Sequence, residues 1–466
     1  MASDPNHQFS MASMPKTFRE AIQASRRLGI QYLWIDSLCI IQEGDDRRDW
    51  YHEAGLMNKV YMHSYINISA ADAEDSTKGL FRSRLPLLVG RHRVTVKTNT
   101  LGPDAELVDC LMTDFLLWRR TMETSPLNNR GWIFQERYLA PRVLYFCRNQ
   151  LFWECKVHTV CETFPTGLPS IGWNFGNVSV KTWERQHGIM PPGVRDDSWI
   201  RFWDQSIVFL YSRMDLTVPT DRLIALSGIA KYFMARVQDT YVAGMWRRRL
   251  EESLLWFVDP GSPEPRTRPR PTPYRSPSWS WASVDGTIMP IWHSKGREGI
   301  IHVEDVVLSY ATDDTLGAVS GGWLDLRGSL KPMRLYEDEE WDAAWCMAVG
   351  NPVISEGHGV IQESAFMTFS VWLDVLPGGA SALNSHNAQG HYFFMPCDIK
   401  GEVAEEVCCL LFELVDKEKV LFERIGSVST AQPDEIEQLL ADLDEETKAR
   451  VPCLQYQDGL HTIRVI

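Results

Sequence analysis

The chain has 466 residues, of which 44% are hydrophobic and 23% are charged, a composition typical of folded globular proteins and not of disordered ones. This length exceeds what one hydrophobic core usually supports, so two or three domains are expected. The net charge of −14 repels phosphate backbones and anionic lipid surfaces, which argues against binding to nucleic acids or to membrane surfaces.

The first residues of the chain contain no apolar core of the kind that signal peptides carry, and no run of about 18 apolar residues follows that would span a bilayer. Ten cysteines are scattered without a CxxC pair and without a Cys/His spacing suited to zinc. We therefore expect a cytoplasmic protein with reduced cysteines, most of them buried as small hydrophobes, with no membrane span and no metal site.

The N-terminal part alternates between helical and strand patterns. Apolar residues at helical spacing predict amphipathic helices over residues 15–28 and 49–63. The short apolar stretches 31–35 and 65–70 are typical of buried strands. Helix, strand, helix and strand with short connections predict an α/β domain with a short, mostly parallel sheet and flanking helices.

The rest of the chain divides by composition. Residues 260–277 are rich in proline, as in a stiff linker. Short apolar segments at regular intervals beyond it are typical of β sandwiches or barrels. The predicted division is a domain over residues 1–155, a mainly helical extension over 156–259, the linker over 260–277 and a β-rich domain over 278–466.

Within these regions the sequence also predicts individual elements. They are an edge strand at 91–97, a helical turn at 130–137, a hairpin of 143–146 with 151–153, helices at 207–211, 221–235 and 244–257, and an acidic helix at 434–443. Four arginines interleaved with the linker prolines are interpreted as solvated linker residues and not as a binding patch; they are Arg266, Arg268, Arg270 and Arg275. Trp279 and Trp281 are expected to anchor the end of the linker.

Candidate site residues follow the two predicted N-terminal strands, because ligands of open parallel sheets bind outside the carboxyl ends of the strands. Asp36, Ser37 and Cys39 follow the first strand, Asp72 follows the second, and Glu53 lies one turn into the intervening helix. Asp36 either caps its loop or binds a ligand.

Two readings are open for Cys39. It is either a nucleophile paired with His52 or His63, or a core residue. Core packing is favoured, because no cationic neighbour or helix N-terminus is evident that would lower the pKa of its thiol.

Four stretches of the sequence resemble the motif blocks of one family. They are residues 32–42 (YLWIDSLCIIQ), the spaced set of Asp49, Trp50, Glu53, Met57, Val60 and Tyr61, residues 129–137 (NRGWIFQER), and residues 277–283 (PSWSWAS). In this order they resemble the blocks of the fungal heterokaryon incompatibility (HET) domain family. The resemblance proper covers about residues 14–155, its downstream segment reaches about residue 285, and residues 422–426 more faintly resemble the tail of such proteins. Because the family normally opens with a strand that carries an S-Y-x-W-G-like motif, an N-terminally shortened domain is expected.

The resemblance implies an effector or signalling role in fungal self/non-self recognition (allorecognition) and programmed cell death. HET domains are distantly similar to TIR domains, some of which cleave the nicotinamide–ribose bond of NAD with one glutamate. By this resemblance Glu53 is the candidate catalytic carboxylate, with Trp50 or Tyr61 as an aromatic partner and NAD as a substrate, with no bound cofactor. Arg130 and Glu136 flank Trp132 in a block that would close over the site, and they either bind ligand or form an ion pair that fixes the block.

Two classes of function therefore stay open. An enzyme requires a concave pocket that joins Asp36, Glu53 and an aromatic residue. A non-enzymatic interaction module, or an inactive shortened member of the family, would present exposed apolar surface instead. Either class implies protein partners, among them a second copy of the chain on activation.

Overall fold

The computed structural model describes residues 10–41, 48–85, 87, 89–97, 107–112, 114, 116–168, 181, 197–261, 270–291, 297–338, 344–349, 367–375, 392–400 and 405–466. The chain forms two compact units. Unit 1 comprises Met1–Val194, Met214–Leu216 and Ala225–Ile229, and unit 2 comprises Arg195–Arg213, Thr217–Ile224 and Ala230–Ile466.

The helices of unit 1 follow the sequence pattern closely. They are α1 (Lys16–Arg27), α2 (Asp36–Cys39), α3 (Arg48–His63), α4 (Leu117–Glu123) and α5 (Gly131–Leu139). The predicted helices at 15–28, 49–63 and 130–137 are thus confirmed. Helix α1 is held by Glu20, whose carboxylate accepts hydrogen bonds from the backbone N–H groups of Leu80 and Phe81 at 2.5 and 2.8 Å.

The sheet of unit 1 is mixed. Its strands, in spatial order, are β1 (Asn67–Ser69), β4 (Arg142–Phe146), β5 (Leu151–Cys155) and β6 (Thr159–Cys161). Strands β1 and β4 run parallel, whereas β4–β5 and β5–β6 are antiparallel. The predicted hairpin is confirmed, but a mostly parallel sheet is wrong for the described strands, because β5 pairs antiparallel with β4 and β6 pairs antiparallel with β5.

Residues 31–35 do not form the predicted buried strand. No described strand pairs with them, and Tyr32 is 88% exposed. A short apolar run predicts a buried strand only where neighbouring strands hydrogen-bond to it, and composition does not reveal whether such neighbours exist. The predicted edge strand at 91–97 does form, as β2 (His92–Lys97), which pairs antiparallel with β3 (Leu107–Met112) in a separate exposed ribbon.

Unit 2 begins with helices and short strands. The helical segments are α6 (Ser198–Phe202), a π-helix (Trp203–Val208), α7 (Phe209–Ser212), α8 (Ile224–Val237) and α9 (Leu250–Ser253); the short strands are β7 (Tyr241–Val242), β8 (Met245–Trp246), β9 (Trp256–Val258) and β10 (Ile288–Pro290). Helix α8 includes the five residues that belong to unit 1.

The predicted helix at 244–257 is confirmed only in its middle, and both ends of this range form strands. Ala243 and Gly244 have φ of 46° and 99° and form the two-residue turn between β7 and β8. Positive φ at both central residues is the conformation that tight hairpins favour over helices. The helical conformation predicted for this segment is kept by a 3-10 helix at Arg247–Arg249 and by α9.

A twelve-stranded sheet dominates the described part of unit 2 and confirms the predicted β-rich region. Its strands are β11 (Arg297–Gly299), β12 (His302–Tyr310), β13 (Val319–Gly328), β14 (Lys331–Asp338), β15 (Ala344–Val349), β16 (Met367–Ser370), β17 (Trp372–Leu373), β18 (Tyr392–Lys400), β19 (Glu406–Asp416), β20 (Leu421–Thr430), β21 (Gln455–Gln457) and β22 (Leu460–Val465). The main path runs β12-β13-β22-β20-β19-β18-β14-β15-β16. Helices α10 (Pro433–Leu440) and α11 (Glu445–Arg450) follow β20, and α10 confirms the predicted acidic helix.

The end of the proline-rich stretch and the segment after it belong to unit 2 and contain residues of its core. Trp279 and Trp281 are buried, as expected for anchoring residues, and Trp281 Nε1 donates to the Gly244 carbonyl at 3.0 Å. Arg275 is buried and bonds to the Ala282 carbonyl at 2.6 Å. Arg270 pairs with Glu423 at 3.2 Å.

The prediction of solvated linker arginines is therefore wrong for Arg275, which is buried, and for Arg270, which is partly buried, because carbonyl and carboxylate partners offset the cost of removing them from water. Arg266 and Arg268 lie outside the described residues. Among the helices described, none is long and apolar enough to cross a bilayer.

Candidate functional site

Helices α3 and α5 bring two of the motif blocks together. Trp50 and Tyr61 lie on α3, and Trp132 and Glu136 lie four residues apart on one face of α5. The rings of Trp50 and Trp132 meet edge to face with centroids 5.8 Å apart. Four residues after Trp132 on α5, Glu136 Oε2 accepts a hydrogen bond from the hydroxyl of Tyr61 at 2.6 Å.

The first block, residues 32–42, reaches the same place from the segment before α2. The ring of Trp34 packs edge-on against Tyr61, with centroids 5.8 Å apart. Asp36 acts electrostatically on both Tyr61 and Glu136. Three stretches of sequence that are far apart in the chain thus converge on one carboxyl group, that of Glu136.

The surroundings of Glu136 change its acidity. Burial raises the pKa of Glu136 from 4.5 to about 7; the Tyr61 hydrogen bond and the Arg130 charge oppose this rise, and the Asp36 charge adds to it. Burial, followed by the neighbouring Glu136 charge, raises the pKa of Tyr61 well above its ordinary value. Tyr61 therefore stays protonated and donates its hydrogen, while Glu136 exchanges its proton near neutral pH.

A carboxyl group that titrates near pH 7 is suited to general acid or base catalysis. Glu136 is only partly covered by the protein, and Asp36 and Arg130 beside it are exposed. We call Asp36, Tyr61, Arg130 and Glu136 the Glu136 site.

The structure separates the residues predicted to follow the two strands. Asp36 is the first residue of α2. Its Oδ1 accepts a hydrogen bond from the backbone N–H of Ser37 at 2.7 Å, and its charge acts on Glu136. Asp72 instead forms an ion pair with Arg82 at 3.0 Å. No contact joins Asp36 to Asp72 among the described residues, since the strand expected before Asp36 does not form.

Cys39 is exposed, so its interpretation as a core residue is wrong. His63, one of its two suggested partners, contacts the Lys59 carbonyl at 2.8 Å instead. Six of the other nine cysteines are buried, as expected. Ser37 is exposed on the same short helix as Cys39.

Glu53 is partly buried on α3, one turn from Trp50. Its side chain forms no hydrogen bond or ion pair with any residue that the structure describes. Its role as the catalytic carboxylate stays a prediction. Arg130 contributes to the Glu136 site through its charge, whereas the partner of the Glu136 carboxylate is the Tyr61 hydroxyl and not an Arg130 ion pair.

The remaining polar residues of the third block hold the fold. The Gln135 side chain accepts a hydrogen bond from the backbone N–H of Gly228 at 2.8 Å. Arg137 pairs with the buried Glu154 at 3.2 Å, and Tyr145 donates to the same carboxylate at 2.5 Å. Although burial acts in the opposite direction, the charges of Arg137 and Lys181 lower the pKa of Glu154.

Sequence reasoning missed the pairing of Tyr61 with Glu136, although each residue stands in one of the matched blocks. It also missed Asp204 of unit 2, which lines a small cleft with Ser253, Trp256 and Trp281 among others. Ser253 donates to Asp204 at 2.7 Å, and burial raises the pKa of Asp204 to about 7. A single aspartate inside an apolar helical pattern gives no sequence signal for this position. No cluster of three or more potential metal ligands occurs among the described residues.

Comparison with known proteins gives one match. Residues 2–136 match a family model described as heterokaryon incompatibility protein (HET), and these residues contain Asp36, Tyr61, Arg130 and Glu136. No curated protein and no solved structure matches the chain. The motif blocks predicted this family, and the protein carries a heterokaryon incompatibility domain.

Proposed function

We propose that this protein is an effector in a fungal heterokaryon-incompatibility response, and that its HET domain hydrolyses the nicotinamide–ribose bond of NAD at the Glu136 site. The observation that carries the proposal is the convergence of three HET motif blocks on one carboxyl group that titrates near neutral pH. A structural role alone does not require a polar residue with perturbed acidity at that point.

In this proposal Glu136 is the central carboxylate and Tyr61 positions it. Ionised Glu136 accepts a hydrogen bond from a ribose hydroxyl or from the attacking water, and its charge stabilises the oxocarbenium-like ribose as nicotinamide leaves. Trp50, Trp132 and Trp34 supply aromatic faces around the carboxylate. Glu53 is retained as a second candidate.

The proposed location is the cytoplasm. All ten cysteines are free thiols in the structure, which suits a reducing compartment. NAD is available there as a substrate.

The test measures NAD concentration over time with purified protein, under conditions that favour self-association. Three variants are compared with the wild type: Glu136→Gln, Glu53→Gln, and Glu74→Gln as an exposed control on the same unit. We expect Glu136→Gln to lower the rate at least about 100-fold, which is the smaller end of what a lost acid or base costs. Glu74→Gln is expected to have no effect.

The pattern of results identifies the carboxylate. Loss of activity in Glu53→Gln with full activity in Glu136→Gln would transfer the catalytic role to Glu53. Wild-type protein that leaves NAD intact would remove the enzymatic proposal altogether.

A second function is favoured by a different observation, the exposed apolar side chains near α2 and α3. Tyr32, Tyr51 and Tyr65 are 88%, 46% and 67% exposed, and large exposed apolar groups mark interaction surfaces. A non-enzymatic module would trigger cell death through these contacts. It predicts that Glu136→Gln leaves toxicity in a fungal host unchanged, whereas Tyr32→Ser abolishes it.

A further inference from the structure

The segment between α1 and α2 carries backbone hydrogen-bonding groups without partners. Residues 31–35 precede α2, and Ile35 is extended, with φ of −132° and ψ of 121°. None of the backbone N–H groups of residues 31–35 donates a hydrogen bond to a described residue. The only carbonyl of the segment that accepts a backbone hydrogen bond in the described structure is that of Ile35.

The side chains of this segment are apolar and accessible. Tyr32 is 88% exposed and Leu33 is 37% exposed, while Trp34 is held against Tyr61. Aromatic and β-branched residues favour strands. An uncharged segment that ends in an extended residue and has free backbone groups offers a template for pairing with another strand.

We propose that residues 31–35 of two copies of this chain pair with each other as antiparallel strands about a two-fold axis at Leu33. A two-fold interface requires a self-complementary surface. Antiparallel pairing of identical segments provides one, since each copy offers the same donors and acceptors to the other.

The charges that flank the segment favour a second copy in this orientation. Arg26 and Arg27 are exposed in the last turn of α1, before the segment. Asp36 is exposed in the first turn of α2, directly after it. Antiparallel pairing brings the basic end of one copy towards the acidic end of the other, whereas parallel pairing places like charges together.

The pairing lies beside the Glu136 site, because Asp36 belongs to that site and follows Ile35 directly. Dimerisation would therefore fix the position of Asp36. The inference itself rests on backbone geometry and charge and does not depend on NAD hydrolysis.

The first test is sedimentation velocity of the full chain over a range of concentrations. We expect a concentration-dependent dimer that Leu33→Lys weakens at least about tenfold, because a charge at the centre of a strand pair opposes pairing. Val157→Lys is the matched control, since Val157 is 62% exposed in the same unit and lies outside the segment. Circular dichroism checks that both variants are folded.

The second test traps the pair covalently. Residues that face each other across antiparallel strands have Cβ atoms about 4.5–5.5 Å apart, close to the range that disulfides span. In a Cys39→Ser background, Leu33→Cys should form a disulfide-linked dimer under mild oxidation faster than Val157→Cys.

A monomer at every concentration would overturn the proposal. A dimer that Leu33→Lys does not weaken, or equal crosslinking at positions 33 and 157, would also overturn it. In those cases residues 31–35 pair with another partner or with none.

Discussion

Tyr61 donates a 2.6 Å hydrogen bond to Glu136, although the two residues stand 75 positions apart in the chain. Each belongs to a different HET motif block, and each lies on a helix that packs against the other. The bond therefore couples the packing of α3 and α5 to the protonation of one carboxyl group.

The first prediction concerns the dependence of stability on pH. Glu136 has its pKa raised from 4.5 to about 7 in the folded protein, so between these pH values the folded state binds a proton that the unfolded state has lost. The free energy of unfolding therefore falls as pH rises through this window and levels off above it. The Glu136→Gln side chain does not titrate, so the free energy of unfolding of this variant should fall less over the same pH range.

Urea unfolding of wild type and Glu136→Gln at pH 5 and pH 8 measures the effect. The variant should lose less stability than wild type between the two pH values, by on the order of 1–3 kcal/mol, because one pKa unit corresponds to about 1.4 kcal/mol and the carboxyl group is partly solvated. Asp204 and Asp374 have raised pKa values too, of about 7 and 6. Both proteins contain these two residues, so their contributions to the pH dependence cancel in the comparison. An identical loss of stability in both proteins would show that Glu136 titrates normally.

The second prediction removes only the hydrogen bond. The Tyr61 hydroxyl stabilises the ionised form of Glu136 and lowers its pKa, so Tyr61→Phe should raise that pKa further. Carbon-13 NMR of labelled glutamate measures the titration, and Glu136→Gln assigns the signal. Tyr51→Phe is the control, because Tyr51 is 46% exposed on the same helix and keeps its ring contact with Trp50. A titration that does not move in Tyr61→Phe would mean that the bond is absent in solution.

The third prediction concerns a buried ion pair in unit 2. Arg424 and Asp374 are 2.9 Å apart, and both side chains are 0% exposed. Arg424 also lies 3.5 Å above the Trp256 ring and donates to the Leu254 carbonyl at 2.6 Å. Removing one partner leaves an uncompensated buried charge, so Asp374→Ala should destabilise the protein by about 3–5 kcal/mol.

Differential scanning calorimetry measures this cost. The comparison is Arg450→Ala, which removes the exposed Arg450–Glu446 pair and should leave the transition temperature unchanged. Similar small shifts for both variants would show that water reaches the buried pair.

The sequence predicted those elements whose signal is local. Helices α1, α3 and α5, the hairpin of β4 and β5, and the β-rich region follow from periodicity and turn residues that lie within each segment. Residues 31–35 were predicted wrongly because a strand needs a partner, and the partner is not encoded in the segment itself. The same limit applied to Arg275, whose burial depends on carbonyl and carboxylate acceptors elsewhere in the fold.

The same limit applied to the candidate site, which was predicted only in part. Motif matching identified Asp36, Trp50 and Arg130, and the structure places these residues at or near Glu136. The role of Glu53 as the catalytic carboxylate stays a prediction. Helix position alone did not distinguish Glu53 from Glu136, which is partly buried and has a hydrogen-bond donor. The distance between Tyr61 and Glu136 provides that distinction.

The last prediction tests how closely the third motif block is packed. Gly228 lies in the middle of α8, where alanine would ordinarily stabilise a helix by up to about 1 kcal/mol. Here a Cβ atom would meet the Gln135 side-chain oxygen and would lie 2.7 Å from the Cβ atom of Asn58. Gly228→Ala must therefore displace Gln135, whose oxygen accepts the Gly228 N–H at 2.8 Å, and overpacking of this kind costs about 1–3 kcal/mol.

Gly55→Ala on α3 is the matched control, because a Cβ atom there meets nothing within 4 Å. Urea unfolding should show a gain in stability for Gly55→Ala and a loss for Gly228→Ala. Since Gln135 precedes Glu136 on α5, Gly228→Ala should also shift the titration of Glu136, and Gly55→Ala should not. A gain in stability at both glycines would show that Gln135 and Gly228 are packed more loosely than the structure describes.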